Sequence, residues 1–292
     1  MQIRHAIILG CPRSGTTFLS RLFNAVPGVE SVIGTLLPVG IPHIANHVDA
    51  TTRAALAVSF ERSIDAYLHS GRCHSRAMAL QKWFNARNGA GDFVQAIKGK
   101  RAIDLVAYKE PMLSFAPSFV LEAFPDARIL NIVRDGRDVA NSMVRTYGTF
   151  SDEAIRVKDH NLYSILGTKV GDAYVPWWVE EGREEEFVNS PAYVRSIWLW
   201  RFVTTRCREV FSSAEARPGQ VLEVSYEEMM RMPQVVARTM QDHFGYKPGA
   251  AYEKVLRSAS VRSIGTYARR DGEEVARAEA VAGDALRLFG YL

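Results

Sequence analysis

Short apolar runs broken by glycine, proline or acidic turns alternate with longer amphipathic stretches along this chain. Ala6 to Leu9 is a continuous apolar run that stops at Gly10, and Phe18 to Phe23 reads as a helix after an eight-residue loop. The passage from Ala25 to Val39 is apolar but turn-rich, and Pro38 to Pro42 is expected to be non-helical. Asp49 to Phe84 reads as two helices interrupted near Ser70 and Gly71. Ile103 to Tyr108 predicts a strand leading into Lys109-Glu110-Pro111, and Phe119 to Phe124 a helix ending before Pro125. Ile129 to Val133 predicts a buried strand, Asp135-Gly136 a turn, and Asp138 onward a helix with an acidic first turn. Ser151 to Ser190 is the least regular stretch, and Ala192 to Phe211 is an amphipathic helix whose Trp198, Trp200 and Phe202 suit packing. A last strand near Gln220 to Ser225 ends at a Tyr226-Glu227-Glu228 turn, with Pro233 opening another helix. Strands alternating with helices predict an α/β fold, a mostly parallel central sheet with helices on both faces, and ligands at the carboxyl ends of its strands.

At 292 residues, with 47% hydrophobic and 23% charged residues, the chain can bury a large core, and residues 1–292 are expected to form one domain. No run of 18 apolar residues exists, and the apolar start is too short for a secretory signal, which points to a soluble cytoplasmic protein without a membrane span. Cys11, Cys73 and Cys207 lack metal-ligand spacing, so neither a disulfide scaffold nor a metal site is expected. Cys11 lies in the first loop, where filling a turn suits it better than acting as a nucleophile. The net charge is +4 and the pI about 9.0. That balance suits an anionic ligand rather than nucleic acid, because the basic residues are interspersed with acidic ones.

The first loop, Gly10-Cys11-Pro12-Arg13-Ser14-Gly15-Thr16-Thr17, stands between a strand and a helix. Unpaired N–H groups and the positive end of the helix dipole attract an anion there, and glycine permits close approach. Its glycine spacing matches a nucleoside triphosphatase phosphate loop, but Thr16 occupies the place of the expected Lys, so the magnesium-assisted kinase chemistry of that motif lacks its cation. Arg13 supplies a cation inside the loop instead. A second constellation places Arg134 at a strand end and Ser142 eight residues on, a guanidinium fork and a short hydroxyl that suit a phosphate. Arg134 can equally pair with Asp138.

Pro12 to Thr17 resembles the 5′-phosphosulfate loop of sulfotransferases that use 3′-phosphoadenosine 5′-phosphosulfate (PAPS), and Arg134 with Ser142 resembles their 3′-phosphate site. The resemblance implies the three-layer sulfotransferase fold, related to that of phosphate-loop nucleotide triphosphatases, with PAPS as donor, 3′,5′-adenosine bisphosphate as product and no metal. It places Phe18 and Tyr226 near the adenine and makes Arg262 and Ser263 candidates for a late basic loop over the 3′-phosphate. It also makes Ser151 to Ser190 an insertion capping the acceptor pocket, and Ala282 to Tyr291 a terminal helix of bacterial members. The Arg-Lys-Gly sequence of the animal cytosolic enzymes is absent.

The implied reaction moves a sulfuryl group to a hydroxyl, less readily an amine, of a small molecule or glycan. Arg13 and Lys109 would stabilise charge on the departing phosphate. The base is open: the His that many relatives carry two places after the Lys is Pro111 here, and the Glu that others carry after the first helix falls in Val32-Ile33-Gly34-Thr35. Glu110, His43 and His47 remain, with a histidine slightly favoured because its ordinary pKa lies near neutral. The competing readings are a phosphate-loop kinase and a catalytically inactive nucleotide-binding protein.

Overall fold

The computed structural model describes residues 3–33, 40–69, 103–157 and 166–292. Strand β1 (Arg4–Leu9) leads to helix α1 (Thr16–Asn24), strand β2 (Val29–Ile33), the short α2 (Ile41–Ile44) and the long α3 (Ala50–His69). Strand β3 (Leu105–Lys109), a 3-10 turn at Pro111–Phe115, helix α4 (Pro117–Ala123), strand β4 (Arg128–Val133) and helix α5 (Gly136–Tyr147) follow. A hairpin of β5 (Thr168–Val170) and β6 (Ala173–Val175) precedes α6 (Glu184–Val188) and α7 (Ala192–Phe211). The chain continues through β7 (Val221–Ser225), α8 (Tyr226–Arg231), α9 (Pro233–Phe244) and α10 (Ala250–Leu256) to α11 (Gly272–Leu288).

Five strands form a parallel sheet in the order β2-β3-β1-β4-β7, with Ile7 of β1 opposite Tyr108 on one side and Ile129 on the other. Successive side chains of a strand face opposite ways, so β1 feeds two cores at once. Ala6 and Ile8 pack with Leu19, Leu22 and Phe23 of α1 and with Met240 and Phe244 of α9. Ile7 and Leu9 pack with Phe60 and Ile64 of α3 and Phe119 of α4. A third cluster joins α5, α7 and α11 to the hairpin and α6, around Trp198, Trp200 and Phe187. The chain leaves β1 toward β2 on one side and reaches β4 and β7 on the other. This reversal opens a crevice at the carboxyl ends beside β1.

The structure departs from the sequence expectations at four places. Val29–Ile33, expected as part of a turn-rich passage, is an edge strand paired along β3. Its burial comes from that non-local partner, while Glu30 and Ser31 interrupt the apolar signal. Pro42 lies within the first turn of α2 rather than outside any helix, a position where its missing N–H costs nothing. The Tyr226-Glu227-Glu228 turn is the first turn of α8, capped by Ser225 accepting from the Glu228 N–H. Ser151 to Ser190 contains a hairpin, a 3-10 turn and α6. The second helix expected up to Phe84 lies outside the described residues, as does Cys73.

Candidate active site

The loop after β1 is shaped by glycine at two points where a side chain has no room. Gly10 has φ +142°, and a Cβ there would lie 2.5 Å from the Ile132 carbonyl oxygen. Gly15 has φ +101°, and its Cβ would meet the Tyr226 ring at 2.6 Å. The loop is further held by the Gly10 N–H donating to Ser114 Oγ at 2.9 Å, and Arg13 takes a positive φ of 75° without being glycine. Strain of this kind is kept only where surrounding structure enforces it.

Beside the loop lies a cavity of about 810 Å³. Pro12, Arg13, Gly15, Thr16, Thr17 and Phe18 form one wall, Lys109 to Met112 after β3 another, and Arg134, Ser142, Tyr226, Arg262 and Ser263 the far side. Among the described residues the lining carries six cationic side chains, Arg13, Lys109, Arg134, Arg145, Arg262 and Arg269, against the one carboxylate of Glu110. A cavity with that balance suits an anion of several charges. Ser14 is buried beneath the loop and does not line the cavity, and its Oγ has no hydrogen-bond partner among the described residues.

Arg134 leaves β4 and ties the far side together. Its Nη1 donates to the Arg13 carbonyl at 3.0 Å and its Nη2 to the Ser263 carbonyl at 2.5 Å, while its guanidinium stacks 4.5 Å above the Tyr226 ring. The alternative pairing with Asp138 also exists, at 3.9 Å. Arg134 Nε is buried without a partner among the described residues. Tyr226 is packed between Arg134 and Gly15, and its hydroxyl hydrogen-bonds Ser263 Oγ at 2.5 Å. That ring therefore anchors the wall, and Phe18 keeps the more open aromatic face.

Arg13 reaches the opposite way, with Nε donating to Ser142 Oγ at 3.0 Å, Nη1 to the Tyr147 hydroxyl at 3.3 Å, and the guanidinium 5.1 Å from the Tyr147 ring centre. Lys109 is held below its ordinary pKa mainly by burial, which Glu110 opposes and Arg13 reinforces. Glu110 Oε1 accepts the Met112 N–H at 3.0 Å and caps the 3-10 turn, fixing the carboxylate beside Lys109.

Neither histidine candidate lines the cavity. His43 is 1% exposed, its Nδ1 accepts the Trp177 indole N–H at 3.0 Å, and burial followed by the charge of His47 pushes its pKa down to about 4. An imidazole whose Nδ1 lone pair is so engaged carries its proton on Nε2 and has no free lone pair for an acceptor proton. His47 is exposed and meets the same Trp177 edge-on at 4.7 Å. The geometry thus brings Glu110 to the cations and leaves the histidines in an aromatic cluster. Cys11 is fully buried and its thiol pushed well up by burial, as expected of a turn-filling residue and not of a nucleophile.

Arg145, Tyr147, Thr266 and Arg269 line the cavity without having been anticipated. Arg145 had a signal, since it lies three positions beyond Ser142 on one helix face. Thr266 and Arg269 lie in the late basic stretch that singled out Arg262 and Ser263, and the fold adds that this stretch meets α5. None of residues 151–190 lines the cavity among those described; they pack on α7 and α5. Among the described residues no group of three or more His, Cys, Asp or Glu side chains is placed to hold a metal ion, and no helix is long and apolar enough to cross a membrane.

A family model described as the sulfotransferase family matches residues 6–170, and the chain belongs to that family. Among solved structures it is similar to sulfotransferase STF9 from Mycobacterium avium, at 16% identity and TM-score 0.48, covering 98% of this chain and 76% of that one. It is also similar to the sulfotransferase domain from the curacin biosynthetic pathway, at 14% identity and TM-score 0.47 over 97% and 90% of the two chains. The sulfotransferase domain of the Synechococcus PCC 7002 olefin synthase is a further similar structure, at 17% identity and TM-score 0.46 over 96% and 88%. Curated proteins provide no match.

Proposed function

We propose that this sulfotransferase uses PAPS as donor and transfers to a hydroxyl, less readily an amine, of a small molecule or glycan. The observation that carries the reading is one cavity lined by residues of the Pro12–Thr17 loop and by the Arg134–Ser142 pair, of nucleotide size and, among the described residues, with six cations against one carboxylate. The residues present fit a bisphosphorylated nucleotide. Arg134 keeps a buried Nε donor without a partner among the described residues, and Arg134, Ser142, Arg262 and Ser263 line the same cavity. When bound, PAPS supplies the sulfuryl group.

The chain's own residues then divide the work. The loop amides and Arg13 hold the 5′ end, and Arg134 with Ser142 and Arg262 holds the 3′-phosphate. Phe18 offers a flat face to the base, with Tyr226 anchoring the wall behind it. Glu110, fixed by its bond to the Met112 N–H, takes the proton of the acceptor hydroxyl. Lys109, beside it, stabilises negative charge growing on the leaving phosphate, as does Arg13. The aromatic site of His43 supports Glu110 as base over either histidine.

Transfer of label from PAPS to a panel of alcohols and amines, with calorimetry of 3′,5′-adenosine bisphosphate, tests the reading. Tight nucleotide binding with turnover on a hydroxyl acceptor is expected. Binding without turnover on any acceptor overturns the enzymatic part. Activity is expected to survive EDTA, because Thr16 stands where a phosphate-loop kinase has its Lys; loss restored by magnesium favours the kinase reading.

A further inference from the structure

We propose that Asp138 is a positioning residue that latches the 258–270 segment over the cavity and thereby sets affinity for the nucleotide; what the latch serves rests on the function proposed above. The segment supplies Ser258, Ser260, Arg262, Ser263, Thr266 and Arg269 to the lining, yet its internal hydrogen bonds close only short turns. It pairs with no strand, it contains only two 3-10 turns, Val261–Ser263 and Thr266–Arg269, and none of residues 261–270 is buried. Something outside the segment must place it.

Asp138 does so from the first turn of α5. Its side chain is completely buried, and Oδ2 accepts the Gly265 N–H at 2.7 Å while Oδ1 accepts the Thr266 hydroxyl at 2.8 Å and the Tyr267 N–H at 3.0 Å. The Arg134 contact is far longer, at 3.9 Å, so the carboxylate is committed first to the segment. A buried carboxylate is costly unless such charge-assisted bonds satisfy it, so its loss or that of its partners is felt at this place. Gly265, at φ +72°, turns the chain so that amides 265 and 267 converge on one carboxylate. Asn141, one turn along α5, adds a second tie: its Nδ2 donates to Thr266 Oγ1 at 3.2 Å and its Oδ1 accepts from Arg270 Nη1 at 3.1 Å. With both oxygens engaged, Asp138 acts through the segment and not on substrate.

The test compares Asp138→Asn, Asp138→Ala and Thr266→Val in the full-length protein. Amide exchange at Gly265 and Tyr267 should quicken by about tenfold or more in the Asp138 variants, with β1 and β4 unchanged. The dissociation constant for 3′,5′-adenosine bisphosphate and the KM for PAPS should rise together by about tenfold or more, while kcat at saturation and the acceptor KM stay within about twofold. Thr266→Val, which leaves the carboxylate and both amide bonds, should move the same quantities less. Unchanged exchange at Gly265 and Tyr267 overturns the latch. Equal losses in kcat and both KM values, with faster exchange throughout the sheet, show a general folding role instead. If Asp138→Ala and Asp138→Asn do not fold, Thr266→Val and Asn141→Ala carry the same comparison. A wild-type protein that fails to bind the bisphosphate removes the proposed function, while the exchange measurement still decides whether the latch exists.

Discussion

The two ends of the cavity are built by different means. At the end formed by the Gly10–Thr17 loop, Lys109 and Glu110, each group follows directly from a strand buried in the sheet, so its position is inherited from β1 or β3. At the other end Arg134 and Tyr226 follow strands directly, after β4 and β7. Ser142 lies on a helix, and Arg262, Ser263 and Arg269 lie on an exposed segment placed by side-chain hydrogen bonds from Asp138, Tyr226 and Arg134. The difference teaches where rate and affinity should be separable. Groups set by the sheet are rigid enough for chemistry, and groups set by side chains can be loosened with the fold intact.

The sharpest break of that comparison is Glu110→Gln. A general base contributes roughly a hundred- to ten-thousandfold, so turnover should fall by about a thousandfold with bisphosphate affinity changed by only a few-fold. Calorimetry showing the nucleotide lost along with the rate would place Glu110 in binding instead. Next is the 3′-phosphate itself: 3′,5′-adenosine bisphosphate should bind more tightly than adenosine 5′-phosphate by on the order of 3 kcal/mol, from the charge-assisted contacts of Arg134 and the hydroxyl of Ser142. Equal affinities for the two nucleotides would remove the assignment of that end. Arg13 belongs to both ends, since its loop lies at one and its Nε bonds Ser142 at the other. Arg13→Ala should lower turnover by roughly a hundredfold while weakening the bisphosphate much less; unchanged turnover with a raised KM for PAPS would make it a binding residue.

The smallest effect concerns stability and lies outside both ends. The folded state holds His43 near pKa 4, below its ordinary value of about 6.5, so the unfolded chain binds the extra proton between these limits and stability falls as pH drops through them. From pH 7 to 5 the wild type should lose about 2 kcal/mol more than His43→Gln, measured by chemical denaturation at both pH values. The acid limb of turnover should be the same in both proteins. A limb displaced by His43→Gln would return a histidine to the chemistry.

Much of the architecture was legible because it is local. The run Ala6 to Leu9 ending at Gly10, the amphipathic Ala192 to Phe211 and the strand before Arg134 each carry their signal within a few residues. β2 did not, because its partner β3 lies beyond some seventy intervening residues and Glu30 and Ser31 blur its pattern. The same division runs through the candidate site. The Pro12–Thr17 loop and the Arg134–Ser142 spacing could be read directly, whereas the histidines looked suitable by their ordinary pKa until their surroundings were known.

What the sequence by itself determined is therefore the set of strand-ends and loops able to meet a phosphate, since backbone conformation and charge type are properties of a few neighbouring residues. Only the tertiary structure decided that Arg134 spans from the Arg13 carbonyl to the Ser263 carbonyl, that Trp177 takes the lone pair of His43, and that Asp138 is spent on Gly265, Thr266 and Tyr267. Such partners lie more than a hundred residues apart in the chain. Burial, which makes each of these polar groups find a partner, exists only once the sheet and its helices have closed around them.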